Sequence, residues 1–90
     1  MAYEAEGRQI AAQVASSYGE VREVRLESKS PSRIVLVCER GELELPSNFI
    51  FQFGYSGSGP SCFHAFLQAS GFNTSKAEVE SAGEGDVFRR

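Results

Sequence analysis

"VREVRLESKSPSRIVLVCERGELELP", residues 21–46, decides the fold. In 21–27, Val24 and Leu26 point one way while Glu23, Arg25 and Glu27 point the other, the pattern of a half-buried strand. Ser28–Ser32 reads as a turn punctuated by Pro31. Residues 33–39 are apolar on both faces and rich in β-branched side chains, as a central strand requires. Arg40-Gly41 is a short hairpin connection into 42–45, where Leu43 and Leu45 point in and Glu42 and Glu44 point out. Pro46 ends that strand. The expectation is a three-stranded antiparallel meander, edge–centre–edge.

The flanks supply helices. Residues 4–18 carry Ile10, Ala11, Val14, Ala15 and Tyr18 on one stripe, with Glu4 and Glu6 at the positive end of the helix dipole and Gly19 as the stop. The apolar face is small, so this helix packs close to what it covers, and Gly7 weakens its first turn. Residues 60–70 predict a second helix, with Pro60 at its first position, Ser58 as its cap and Gly71 after its end. Ser75 and Glu78 form the capping box of a short third helix. Residues 81–90 read as a loose tail that Val87 and Phe88 offer a way to dock. The 47–53 segment reads as irregular extended chain with a short strand, Phe49, Phe51 and Phe53 on one side. The fold class is α+β: N-terminal helix, three-stranded antiparallel meander, glycine-rich loop, and a central helix packed on the sheet.

Ninety residues make one small domain, 1–90, with modest stability to spare. Five of its seven Phe lie between 49 and 66, which centres the core there. A net charge of −3 with nine scattered Lys and Arg argues against direct nucleic-acid binding, which needs a clustered basic surface. The acidity is too mild for DNA mimicry. The opening residues, "MAYEAEGRQI", have no basic region or apolar run of a secretory signal, and no stretch approaches the length of a membrane span. A cytoplasmic location follows as the expectation, with Cys38 and Cys62 as free thiols.

Between 53 and 61 the chain reads "FGYSGSGPS". Gly54 and Gly59 have Walker A spacing, but Pro60 stands where that loop needs lysine for the β/γ-phosphates. The dinucleotide pattern has its spacing reversed here, and the nucleophile elbow is missing because Ser58 follows Gly57. Two readings remain. The glycines either supply positive φ for a tight turn, or the loop presents amides to an anion through Tyr55, Ser56, Gly57, Ser58, Gly59 and Ser61.

Cys62 in the first helical turn invites a reactive-thiol reading. His64 projects away from it on a helix, and no second histidine exists to make a dyad, so packing is the expected role of both cysteines. Two cysteines and one histidine do not make a zinc spacing. No catalytic, metal or cofactor site is expected.

The segment "FQFGYSGSGPSCFHAFL", residues 51–67, resembles the signature of a small bacterial and phage-borne domain family of unknown function, F-x-[WF]-G-Y-x-G-[ST]-G-P. Phe51, Phe53, Gly54, Tyr55, Gly57, Ser58, Gly59 and Pro60 carry the match, continued by Phe66 and Leu67. With the preceding Glu/Leu strand, the likeness covers roughly 33–72; the N-terminal helix and C-terminal tail depart from it. The resemblance implies that the motif is a defining fold element and that the source is a phage or mobile element. It implies no catalytic role.

Helices on one side of a three-stranded sheet leave the other side bare. Val35 and Val37 lie there beside Glu23, Arg25, Glu42 and Glu44, an apolar stripe framed by charge that suits a protein partner. Alternatively, the 47–53 segment folds over it. The expected function is a non-enzymatic protein-interaction module, in its specific form a phage or mobile-element inhibitor or regulator of a host complex such as a defence system, or a self-associating homodimer. The alternative is a small-ligand or anion-binding domain using the glycine loop.

Overall fold

In the computed structural model, which describes residues 3–90, the 21–46 stretch folds as three consecutive antiparallel strands. In chain order the elements are α1 (Tyr3–Tyr18), β1 (Val21–Lys29), β2 (Ser32–Cys38), β3 (Gly41–Glu44), α2 (Ser58–Ala69), α3 (Lys76–Ser81) and β4 (Val87–Arg89). The sheet has four strands, not three, in the order β3-β2-β1-β4. The expected edge strand, β1, is therefore internal.

The chain's last residues explain the difference. Gly85, at φ +87°, turns the chain back along β1. Its amide donates to the Leu26 carbonyl at 2.7 Å, and the Leu26 amide donates to the Asp86 carbonyl at 2.9 Å. Asp86 also accepts from the Gly83 amide at 2.9 Å, which holds the turn. Phe88 then inserts its ring near Phe63, centroids 6.0 Å apart, and Arg90 ion-pairs with Glu20 at 2.5 Å. The expected loose tail is thus an ordered strand.

Two bulges shape β1, between Val21 and Glu23 and between Leu26 and Ser28. The extra residue lets Val21 and Val24 both face the core although they are three positions apart. On that face Val24, Leu26, Ile34 and Leu36 meet Cys62, Phe63, Phe66 and Leu67 of α2 in one buried cluster.

The 47–53 segment contains no strand, contrary to expectation. A turn after Pro46, closed by the Phe49 amide on the Pro46 carbonyl at 3.0 Å, leads the chain under α2. There Phe51 stacks on Phe63 (5.1 Å, 14°) and lies 4.8 Å from Phe66, with Phe49 edge-on to it. Burying these rings against α2 takes the place of pairing with a neighbouring strand.

Helix α2 begins two residues before Pro60. Gly57, in extended conformation, is the N-cap, and no side chain among the described residues caps the helix. Ser58 is the first helical residue rather than the cap, and Pro60 falls at the third position, where its missing N–H still costs no intrahelical bond. The helix ends at Gly71, φ +91°: the Phe72 amide bonds the Leu67 carbonyl and the Gly71 amide the Gln68 carbonyl, a Schellman motif with Phe72 and Leu67 both buried. The Ser75–Glu78 capping box at α3 forms as expected.

Helix α1 packs on α2 through Gly7, Ala11 and Val14, with Ile10 and Tyr18 flanking and Ala15 exposed. Gly7 sits against the Cys62 carbonyl, and Ala11 and Ala15 share with Ala69 and Ser70 a cleft of about 540 Å³ at the far end. The two helices therefore run in the same direction, and their negative ends come together. Arg40 meets the α1 end, donating through its amide to the Tyr18 carbonyl at 2.9 Å and through Nη2 to the Ser16 carbonyl at 3.4 Å. Among the described residues no helix is long and apolar enough to cross a membrane.

Candidate functional site

The strand registers place the six expected face residues in two rows across the outer side of the sheet. One row reads Glu44–Val35–Arg25–Val87, from β3 to β4. The other reads Glu42–Val37–Glu23–Arg89. All three helices put their buried residues on the opposite side, in the cluster that also holds Phe51 and Phe53. The 47–53 segment thus lies on the helix side and does not fold over these rows.

Charge on this face is arranged in pairs. Glu23 accepts from Arg25 at 2.8 Å and from Arg89 at 3.0 Å, and these bonds hold its carboxyl below the ordinary carboxylate range. The same bond to Glu23 raises the Arg25 guanidinium. Arg33 meets Glu44 at 3.3 Å, and Arg25 approaches Glu42 at 3.9 Å. Glu23, Glu42 and Glu44 each have an arginine partner among Arg25, Arg33 and Arg89, so the charge on this face is paired locally. Val35 lies outside the core cluster yet is only 7% exposed, between its cross-strand neighbours Arg25 and Glu44. Val87 is exposed.

Val87, Arg89 and Arg33 belong to this surface, although the sequence reading places none of them on it. The alternation of exposed, buried, exposed in Val87-Phe88-Arg89 is the available signal, and three residues are too few to establish a period.

The glycine loop is a built turn. Gly54 has φ +84°, and its amide donates to the Val79 carbonyl at 3.0 Å, tying the loop to α3. A Cβ at Gly59 would come within 2.9 Å of Gln52 Cβ and 3.2 Å of the Ile50 carbonyl oxygen. That close approach seats the start of α2 on the 50–52 segment. Tyr55, 45% exposed, bonds Gln52 through its hydroxyl, and Ser56 donates to Glu80 at 3.1 Å. The Glu80 carboxylate beside the loop opposes an anion at the neighbouring amides of Ser58 and Gly59. Lys29, donating to the Gly54 carbonyl at 3.4 Å, is a cation next to the loop. Ser61 is partly buried, its amide bonded to the Gly57 carbonyl at 3.1 Å.

Cys62 is fully buried, and burial, reinforced by the charge of Glu6, pushes its thiol up to about 11. Any lowering by the helix dipole is outweighed. His64 lies on the partly exposed side of α2. Burial also raises Cys38. Among the described residues no group of three or more His, Cys, Asp or Glu is placed to hold a metal ion.

The fold and this surface define a small α+β protein with one sheet face covered by helices and one that no helix among the described residues covers. No protein-family model, curated protein or solved structure matches the chain. The family likeness of 51–67 therefore rests on the motif residues alone.

Proposed function

We propose that the chain is a non-enzymatic protein-interaction module that docks a partner on its outer sheet face. One observation carries the reading: two cross-strand rows set Val35 and Val37 among paired charges on a sheet face that no helix among the described residues covers. Paired charges held in register give orientation and specificity to a docked protein, while the accessible Val37 and Val87 contribute apolar area and Val35 lies nearly covered beneath its neighbours. The specific form, a phage or mobile-element inhibitor or regulator of a host complex such as a defence system, draws on the motif resemblance and on the small acidic chain. The test is capture from bacterial lysate with wild type, Val37→Glu, Val87→Glu and the distant control Lys76→Glu. A partner retained by the control and lost with both valine variants supports the reading. No specific partner, or capture indifferent to the valines, overturns it.

A second reading, an anion site at the loop, is favoured by the Lys29 ammonium, which donates to the Gly54 carbonyl at the loop's start. Orthophosphate titration tests it: amide shifts at Gly57–Ser61 support it, and their absence ends it.

A further inference from the structure

The meander leaves β3 at one edge of the sheet. The Leu45 amide donates to the Ile34 carbonyl at 2.9 Å, which sets the phase of the β2–β3 ladder. By the antiparallel alternation, Gly41, Leu43 and Leu45 turn their backbone groups toward β2, and Glu42 and Glu44 turn theirs outward. Among the described residues, neither glutamate takes part in a backbone bond outside the helices and strands. The edge therefore offers two N–H and two C=O groups spaced for an added strand.

Beside this edge, on the helix side, runs a groove of about 530 Å³ between α1 and β3. Ile10, Val14, Leu43, Leu45 and Phe49 make its apolar lining, Glu6 stands among its walls, the strand at Glu44 borders it, and no Lys or Arg lines it. Side chains of an added strand alternate between the two faces. Those beside Leu43 enter the groove, and those beside Glu42 and Glu44 lie on the outer face against two carboxylates.

We propose that the β3 edge and its groove take an extended segment of a partner protein in which apolar residues alternate with lysine or arginine. The occupant is not a second copy of this chain. A two-fold pairing about Leu43 sets Glu42 opposite Glu44 twice, and like charges directly opposite destabilise a strand pair. Arg33 and Arg25 approach these glutamates from within the sheet, but both pairs are solvent-exposed and yield to a better-placed cation. The mode is strand addition: main-chain bonds give affinity, and the alternating side chains give specificity.

This extends the interaction reading to a second surface, and the two fail separately. The probe is a synthetic peptide of about six residues alternating valine and lysine, with a valine–glutamate peptide as control. In an amide titration of the whole protein, the lysine peptide shifts Glu42 and Glu44 and the methyl groups of Ile10 and Leu43. The glutamate peptide binds at least about tenfold more weakly. The double variant Glu42→Lys/Glu44→Lys, both changes at exposed positions, keeps a folded spectrum and reverses the preference. Val87→Glu, which alters the outer face at the far edge, leaves peptide binding intact. Unmoved Glu42 and Glu44, equal affinity for the two peptides, or a homodimer mapping to this edge would overturn the proposal.

Discussion

The α-carbon of Gly7 faces the Cys62 carbonyl so closely that a β-carbon would overlap the oxygen and come within 3.1 Å of the Phe66 amide nitrogen. This contact sets how near α1 lies to α2. Helix propensity alone favours Gly7→Ala by about 1 kcal/mol. Packing reverses the sign, because the obstructing atoms are backbone. The expected outcome is a net loss of roughly 1–3 kcal/mol in urea unfolding, the usual cost of overpacking. A stabilised variant would mean that the helices separate freely.

The loop glycines separate in the same way. Gly59→Ala forces a Cβ into Gln52 and the Ile50 carbonyl and is expected to cost roughly 1–3 kcal/mol. Gly57 is extended, and a Cβ there meets only the Tyr55 ring, at 3.0 Å, on an exposed side chain. Gly57→Ala should stay within about 0.5 kcal/mol of wild type. Thermal unfolding of the two variants side by side checks the contrast.

Burial raises Cys62 from its ordinary 9.0 to about 11 in the folded chain. Between these values the unfolded thiol loses its proton first, so stability falls as pH rises through this window and is unaffected below it. The difference between wild type and Cys62→Ala should therefore shrink by on the order of 2 kcal/mol from pH 9 to pH 11. Alkylation of Cys62 near neutral pH should also proceed only through unfolding; fast native-state labelling contradicts this.

Phe88 anchors β4 beneath the sheet. Phe88→Ala is expected to cost about 3 kcal/mol, toward the low end for a buried phenylalanine because the site is near an edge. Truncation after Gly83 removes the Asp86 carbonyl that accepts from Leu26. Hydrogen exchange should then show the Leu26 amide losing protection while the Leu36 amide, in the central β2, keeps most of its own.

Much of this architecture is legible in the chain. The meander is readable because Val24/Leu26 and Leu43/Leu45 alternate strictly with charge. The α3 start is readable because Ser75 and Glu78 stand at capping-box spacing. The outer-face residues follow from the same alternation. What escapes is decided by contacts between distant segments. Nothing local marks Gly7 as a packing position instead of a propensity defect. The start of α2 at Ser58 depends on how closely Gly59 meets Gln52 and the Ile50 carbonyl, a packing contact that no cap rule encodes. The fourth strand depends on Gly85 turning three residues back onto β1, too short a run to announce itself. For the candidate site, sequence alone places Glu23, Arg25, Glu42 and Glu44 on one face, but the completing Val87 and Arg89 arrive only with that strand.

The sheet order carries a consequence for synthesis. A ribosome releases β1, β2 and β3 in succession, so the meander and α1 can associate early. The remaining side of β1 stays unpaired until Val87–Arg89 emerge. Throughout that interval the nascent chain displays an open strand edge beside Val24 and Leu26, a template for pairing with neighbouring nascent chains. The final strand thus closes this flank of β1 last, and the moment of its arrival sets how long Val24 and Leu26 stand beside an unpaired edge.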